Sequence, residues 1–199
     1  MIKVVIFDAD GVLVHGERRF SKTLSEKHGI SLETTLPFFT GPFQECLVGN
    51  LDLKKIILPY LNTWGWDKGV DVLLDYWFSL ESKTDKEIIK YIKELRQKGI
   101  VCLLATNNEK YRFQYMMDKM GLVNVFDKTY SSAHLGHKKP EQAFFLKIYK
   151  ELSNIKKEEI LFVDDSVENI EGAKKFGIRV ELFESIKDLK KKLSFLNKK

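Results

Sequence analysis

Asp8 and Asp10 stand one residue apart, directly after the apolar run Val4–Phe7 and just before Gly11. A carboxylate at the end of a strand can attack phosphorus and carry it as an acyl phosphate, dividing one difficult displacement into two easier ones. Gly11 lets the chain turn sharply away. In isolation, an acidic turn after an edge strand would look the same. A second apolar run, 160–163, ends in Asp164 and Asp165 and leads through Ser166 towards Asn169. Two strand ends carrying carboxylates to one edge repel each other unless a cation lies between them. A hard divalent ion suits oxygen ligands, and beside a phosphate that ion is Mg²⁺. Asn169, one helical turn after Asp165, is placed to orient the metal's ligands, although a surface asparagine has the same spacing.

Two further segments supply donors. The run 103–106 closes on Thr106 and continues into Asn107 and Asn108. A hydroxyl there, with the free N–H groups of a helix start, can bind phosphoryl oxygens, and a plain N-cap would use the same residue. Gly136-His137-Lys138-Lys139-Pro140 is a bracketed turn that delivers lysine to the start of a helix, where an ammonium can stabilise charge on a transferring phosphoryl group.

These residues need a scaffold that brings several strand ends to one edge. Short apolar runs at 4–7, 100–105, 160–163 and 180–183, with a weaker one at 128–130, read as buried parallel strands. Between them lie helical stripes: Ile88, Ile92 and Leu95 before Gly99; Phe113, Met116, Met117 and Met120 before Gly121; Phe144, Ile148 and Leu152 after Pro140; Val167, Ile170 and Ala173 before Gly177; and Ile186, Leu189, Leu193 and Leu196. The alternation predicts a doubly wound, Rossmann-like three-layer α/β core. Residues 16–80 differ, with Phe38, Phe39, Phe43, Trp64, Trp66, Trp77 and Phe78 at helical spacing and no strand-like run. This stretch is expected to be an all-helical cap with those aromatics mainly in its core, leaving 1–15 and 81–199 as the catalytic core. Gly16 and the segment 79–84 are the expected hinges.

In this order the four segments resemble the haloacid dehalogenase superfamily, in its phosphatase branch with a helical cap inserted after the first strand. The resemblance covers roughly 1–14 and 84–183. It implies Asp8 as nucleophile and Asp10 as the acid/base, with the Asp10 backbone carbonyl near the metal. It also implies Thr106 on the phosphate, Lys139 rather than Lys138 as the motif lysine, Asp165 as principal metal ligand and Asp164 in support. An aspartate at position 10 suits an alkoxide leaving group, which needs a proton, and disfavours dehalogenation. The resemblance implies a Mg²⁺-dependent phosphatase of a small phosphorylated metabolite, with sugar phosphates among the candidates. A phosphomutase would use the same aspartates, and a non-catalytic scaffold would have lost some of them.

Composition narrows the partners. The +5 net charge comes from 33 basic and 28 acidic residues that are interleaved along the chain, a solvated surface rather than a nucleic-acid footprint. Cys46 and Cys102 do not suggest a disulfide framework, and no apolar run is long enough for a membrane span. His15, His28, His134 and His137 lack zinc-site spacing, and His15 is expected at the surface or hinge. A cytoplasmic enzyme without nucleic-acid or membrane partners is expected, with monomer and homodimer equally open.

Overall fold

The structure, a computed structural model, describes residues 1–15 and 20–197. Among them, β1 (Val4–Phe7), β4 (Val101–Thr106), β5 (Lys128–Ser131), β6 (Ile160–Asp164) and β7 (Arg179–Leu182) form a parallel sheet in the order β5-β4-β1-β6-β7. Alternation along each strand feeds two apolar layers. Val5, Phe7, Cys102, Leu104 and Val163 join one layer, and Val4, Ile6, Leu103, Ala105 and Phe162 the other. The first is covered by α6 (Lys86–Gln97), α7 (Lys110–Asp118) and α11 (Ile186–Lys192), and the second by α9 (Gln142–Tyr149) and α10 (Val167–Phe176). The short α8 (Ser132–Leu135) follows β5 directly. This is the expected three-layer α/β core. From β1 the chain builds outward first to one side and later to the other, so the switch point falls at β1, where such folds bind ligands.

Between β1 and the return to the sheet lie α1 (Phe20–His28), α2 (Leu32–Thr40), α3 (Pro42–Leu47), α4 (Leu53–Thr63) and α5 (Val70–Leu80). They pack around a cluster of their own, in which Phe38, Trp64, Trp66, Trp77 and Phe78 are buried beside Leu53, Ile57 and Leu73. A two-residue antiparallel ribbon joins this bundle to the core: β2 (Val14–His15) pairs with β3 (Lys83–Thr84). The expected hinge at 79–84 therefore includes half of a paired ribbon. Its other expected member, Gly16, lies outside the described residues. His15 is exposed in that ribbon, 4.0 Å from Asp85.

One local expectation changes. Pro140 does not open α9; the Lys139–Pro140 peptide is cis and the helix begins at Gln142. Thr106 is the last residue of β4, as its run indicated, and the helix cap is Glu109, accepting from Tyr111 N and Arg112 N. No described helix is long and apolar enough to cross a membrane.

Candidate active site

Phe7 lies opposite Val163 across the β1–β6 ladder, so Asp8 and Asp164 leave the sheet side by side. Asp8 N still donates to Val163 O at 2.9 Å. The tight turn that follows puts Gly11 at φ +88°, and a Cβ there would stand 2.0 Å from Asp165 Oδ2. Only glycine accommodates both the conformation and the approaching carboxylate.

Lys139 Nζ lies 2.7 Å from Asp8 Oδ1 and 2.7 Å from Asp164 Oδ2, with its side chain only 1% exposed. Its backbone is held by Asn107, which donates Nδ2 to Lys139 O at 2.9 Å and accepts Lys139 N at 2.8 Å. Gly172 of α10 makes room for the same loop, since a Cβ there would be 2.6 Å from Pro140 O. Asp164 also accepts Ser166 N at 2.8 Å and Asn169 Nδ2 at 3.1 Å on both oxygens.

Burial pushes Asp8 up to about 7 against the pull of Lys139, and Asp164 adds to the rise. Burial opposes the Lys139 charge too, but Asp8 and Asp164 outweigh it and hold the ammonium above its usual range. Asp165 is raised by burial and by Asp164. One ammonium among three carboxylates leaves excess negative charge, which a proton or a cation would offset. Oxygens of Asp8, Asp164 and Asp165 all lie within 4.8 Å of one another, an all-oxygen set that fits a hard divalent ion.

A second group hangs from the β4–α7 loop. Asn108 Nδ2 donates to Thr106 Oγ1 and to Asp10 Oδ2, both at 2.7 Å. Because Thr106 accepts that bond, its own O–H is left to donate. Arg112 NH2 stands 3.5 Å from Asp10 Oδ1. Asp10, Asn108 and Arg112 line a cavity of about 40 Å³ that is closed from the helical bundle by Phe43, Trp77 and Phe78. Most of the bundle's aromatics are thus core, while these three also face the site.

The structure brings Asp8, Asp164, Asp165 and Lys139 together and sets Thr106 and Asp10 beside them. The Asp10 carboxylate turns to Asn108 and is not one of the three clustered carboxylates of Asp8, Asp164 and Asp165; for Asp10 it was the backbone carbonyl that was expected near the metal. Asn107, expected on the phosphate, spends its side chain on the Lys139 backbone. Asn169 engages Asp164 directly. Lys138 reaches away from the site to Gln44 Oε1 at 2.8 Å. Asn108 and Arg112 were not anticipated. Asn108 lies outside α7, just before its cap residue Glu109, so no helical spacing marks the pair in the sequence.

Sheet order and site together define a doubly wound α/β protein with an acidic site at the carboxyl edge of its parallel sheet. The chain belongs to the haloacid dehalogenase-like hydrolase family, which matches residues 2–177. It is similar to the D-ribitol-5-phosphate phosphatase of Bacteroides thetaiotaomicron, 28% identical over 204 residues that cover 98% of each chain. A drimenol cyclase of Aspergillus calidoustus is 29% identical over 115 residues, 56% of this chain, which spans only 22% of the cyclase. The fold resembles a Bacteroides thetaiotaomicron enzyme of this family in complex with magnesium and inorganic phosphate, at TM-score 0.80 and 23% identity, covering 95% of this chain and 99% of that one.

Proposed function

We propose that the chain is a Mg²⁺-dependent phosphatase of small phosphorylated metabolites, a polyol or sugar monophosphate above all, working through an aspartyl-phosphate on Asp8. The observation that carries this reading is the buried Lys139 ammonium, 2.7 Å from both Asp8 and Asp164, at the edge of an all-carboxylate group. The full-length similarity to a D-ribitol-5-phosphate phosphatase supports the substrate class. The helices of residues 16–80 act as the cap over a core of 1–15 and 81–199.

Asp8 Oδ2, free of Lys139, attacks phosphorus while the bond to the leaving oxygen breaks and the Asp10 carboxyl gives that oxygen its proton. The Asp10 carboxylate then takes a proton from water as the water oxygen attacks phosphorus. The bond to Asp8 breaks, and inorganic phosphate leaves. Lys139 and the Thr106 hydroxyl face the charge that develops on the phosphoryl oxygens. Mg²⁺ held by Asp8, Asp164 and Asp165, with Asn169 steadying Asp164, would neutralise phosphoryl charge.

Incubation with D-ribitol 5-phosphate and a panel of sugar monophosphates should release phosphate with Mg²⁺, and at least ~100-fold less with EDTA. Equal release in EDTA would remove the metal from the reading. Conversion of a sugar phosphate without net phosphate would make the enzyme a mutase.

Gly11→Ala tests the metal group separately. The added Cβ must displace Asp165, and the positive φ costs roughly 1–2 kcal/mol in stability. Calorimetric Mg²⁺ affinity is expected to fall at least ~10-fold, as when a ligand's support is lost. Unchanged affinity would show that Asp165 is not a ligand.

A further inference from the structure

We infer that Arg112 is a positioning residue for Asp10, and that it makes the placement of the proton donor depend on the cap's exit helix being docked. This rests on the phosphatase reading above. Asp10 projects into the cavity with its side chain half exposed. Among the described residues, two side chains from the β4–α7 segment face its carboxylate. Asn108 bonds Oδ2 at 2.7 Å, and the Arg112 guanidinium faces Oδ1 at 3.5 Å.

Arg112 is buried, and two of its donors go to the cap. NH1 donates to Phe78 O at 3.0 Å, and NH2 donates to Glu81 O. These carbonyls belong to the last turn of α5 and to its cap residue, at the negative end of the helix, and Phe78 O also accepts Glu81 N at 3.3 Å. The Phe78 ring lies against the guanidinium, 5.8 Å away. The Glu81 carboxylate accepts Phe20 N at 3.0 Å and Trp77 Nε1 at 3.2 Å, which ties the first and last helices of the cap into one knot.

The position of the guanidinium is therefore set by carbonyls of the cap and read by a carboxylate of the core. At 3.5 Å it is farther from Asp10 than the ~2.7–2.9 Å of a short charge-assisted bond. With α5 docked, Arg112 orients Asp10 without capturing it. With α5 withdrawn, a guanidinium that has lost two acceptors turns to water or closes on Asp10, and either move takes the proton donor out of line with a leaving group.

The test uses leaving groups of unequal need. An alkoxide leaves only when protonated, whereas p-nitrophenolate leaves without a proton. kcat/KM reports the steps through loss of the leaving group. It is measured for D-ribitol 5-phosphate and p-nitrophenyl phosphate in wild type, Arg112→Lys, Asp10→Asn and the double variant. Arg112→Gln is the second variant if the lysine protein does not fold. Arg112→Lys is expected to lose ~10-fold or more on the alkyl ester and less than ~3-fold on the aryl ester, chiefly in kcat. In the Asp10→Asn background it should cost almost nothing further, because both changes act through one group. Equal losses on both esters, or a full additional loss in the double variant, would make Arg112 a structural clamp. A loss confined to KM would make it a substrate contact. A wild type that releases no phosphate from either ester would remove the phosphatase reading, and this role with it.

Discussion

Asp8→Asn is expected to lose phosphate release by on the order of 10⁴-fold or more, since an amide of the same shape cannot form the acyl phosphate. The fold should survive. Asparagine keeps the volume and the Lys139 contact while removing a buried charge that burial already disfavours. Its stability profile provides the cross-check. Asp8 is raised from 3.8 to about 7 in the folded, metal-free protein, so the folded state holds a proton that the unfolded chain has released. That contribution is fully present below about 3.8 and is lost as pH rises through about 7, on the order of a few kcal/mol. In EDTA, thermal unfolding of the wild type should therefore fall between pH 5 and pH 8 by more than that of Asp8→Asn. Parallel profiles would mean that Asp8 is not the group carrying the proton. Residual turnover within ~10-fold of wild type would remove Asp8 as nucleophile.

Lys139→Met should damage stability as well as catalysis. Its Nζ compensates two carboxylates at 2.7 Å in a place where its side chain is 1% exposed. Removing one partner of a buried ionic group leaves uncompensated charge and costs about 3–5 kcal/mol. In a chain of this size that lowers Tm by about 10 °C. Phosphate release should fall by ~10²–10³, the usual loss when one donor to developing negative charge is removed. Mg²⁺ should raise the Tm of the variant more than that of wild type, because the cation then supplies the missing compensation. A variant that melts with wild type in EDTA would show that Asp8 and Asp164 do not depend on this ammonium.

The scaffold was legible wherever its signal is local. The strands β1, β4 and β6 are continuous apolar runs, and each hands its chemistry to the residues at its carboxyl end: Asp8, Thr106, Asp164. Neighbouring letters sufficed because a strand buried on both faces must be apolar throughout and must stop where a polar group is required. The β2–β3 ribbon gave no such signal. Each strand has two residues, and Val14 meets Thr84 across the whole helical insert. The start of α9 was misread because Pro140 suits both a first helical turn and the turn before it, and the cis peptide is not encoded in residue type.

What the amino-acid order determined by itself was the chemistry available at each strand end and the alternation that builds a parallel sheet. Only the tertiary structure decided how those groups are shared. It tied the Asn107 side chain to the Lys139 backbone, gave Asp164 rather than Asp165 the buried contact with Lys139, and brought Arg112 between the end of α5 and Asp10. The physical reason is that a hydrogen bond or a desolvated charge depends on which atoms face each other, and across 25 to 102 residues of separation the fold alone settles that.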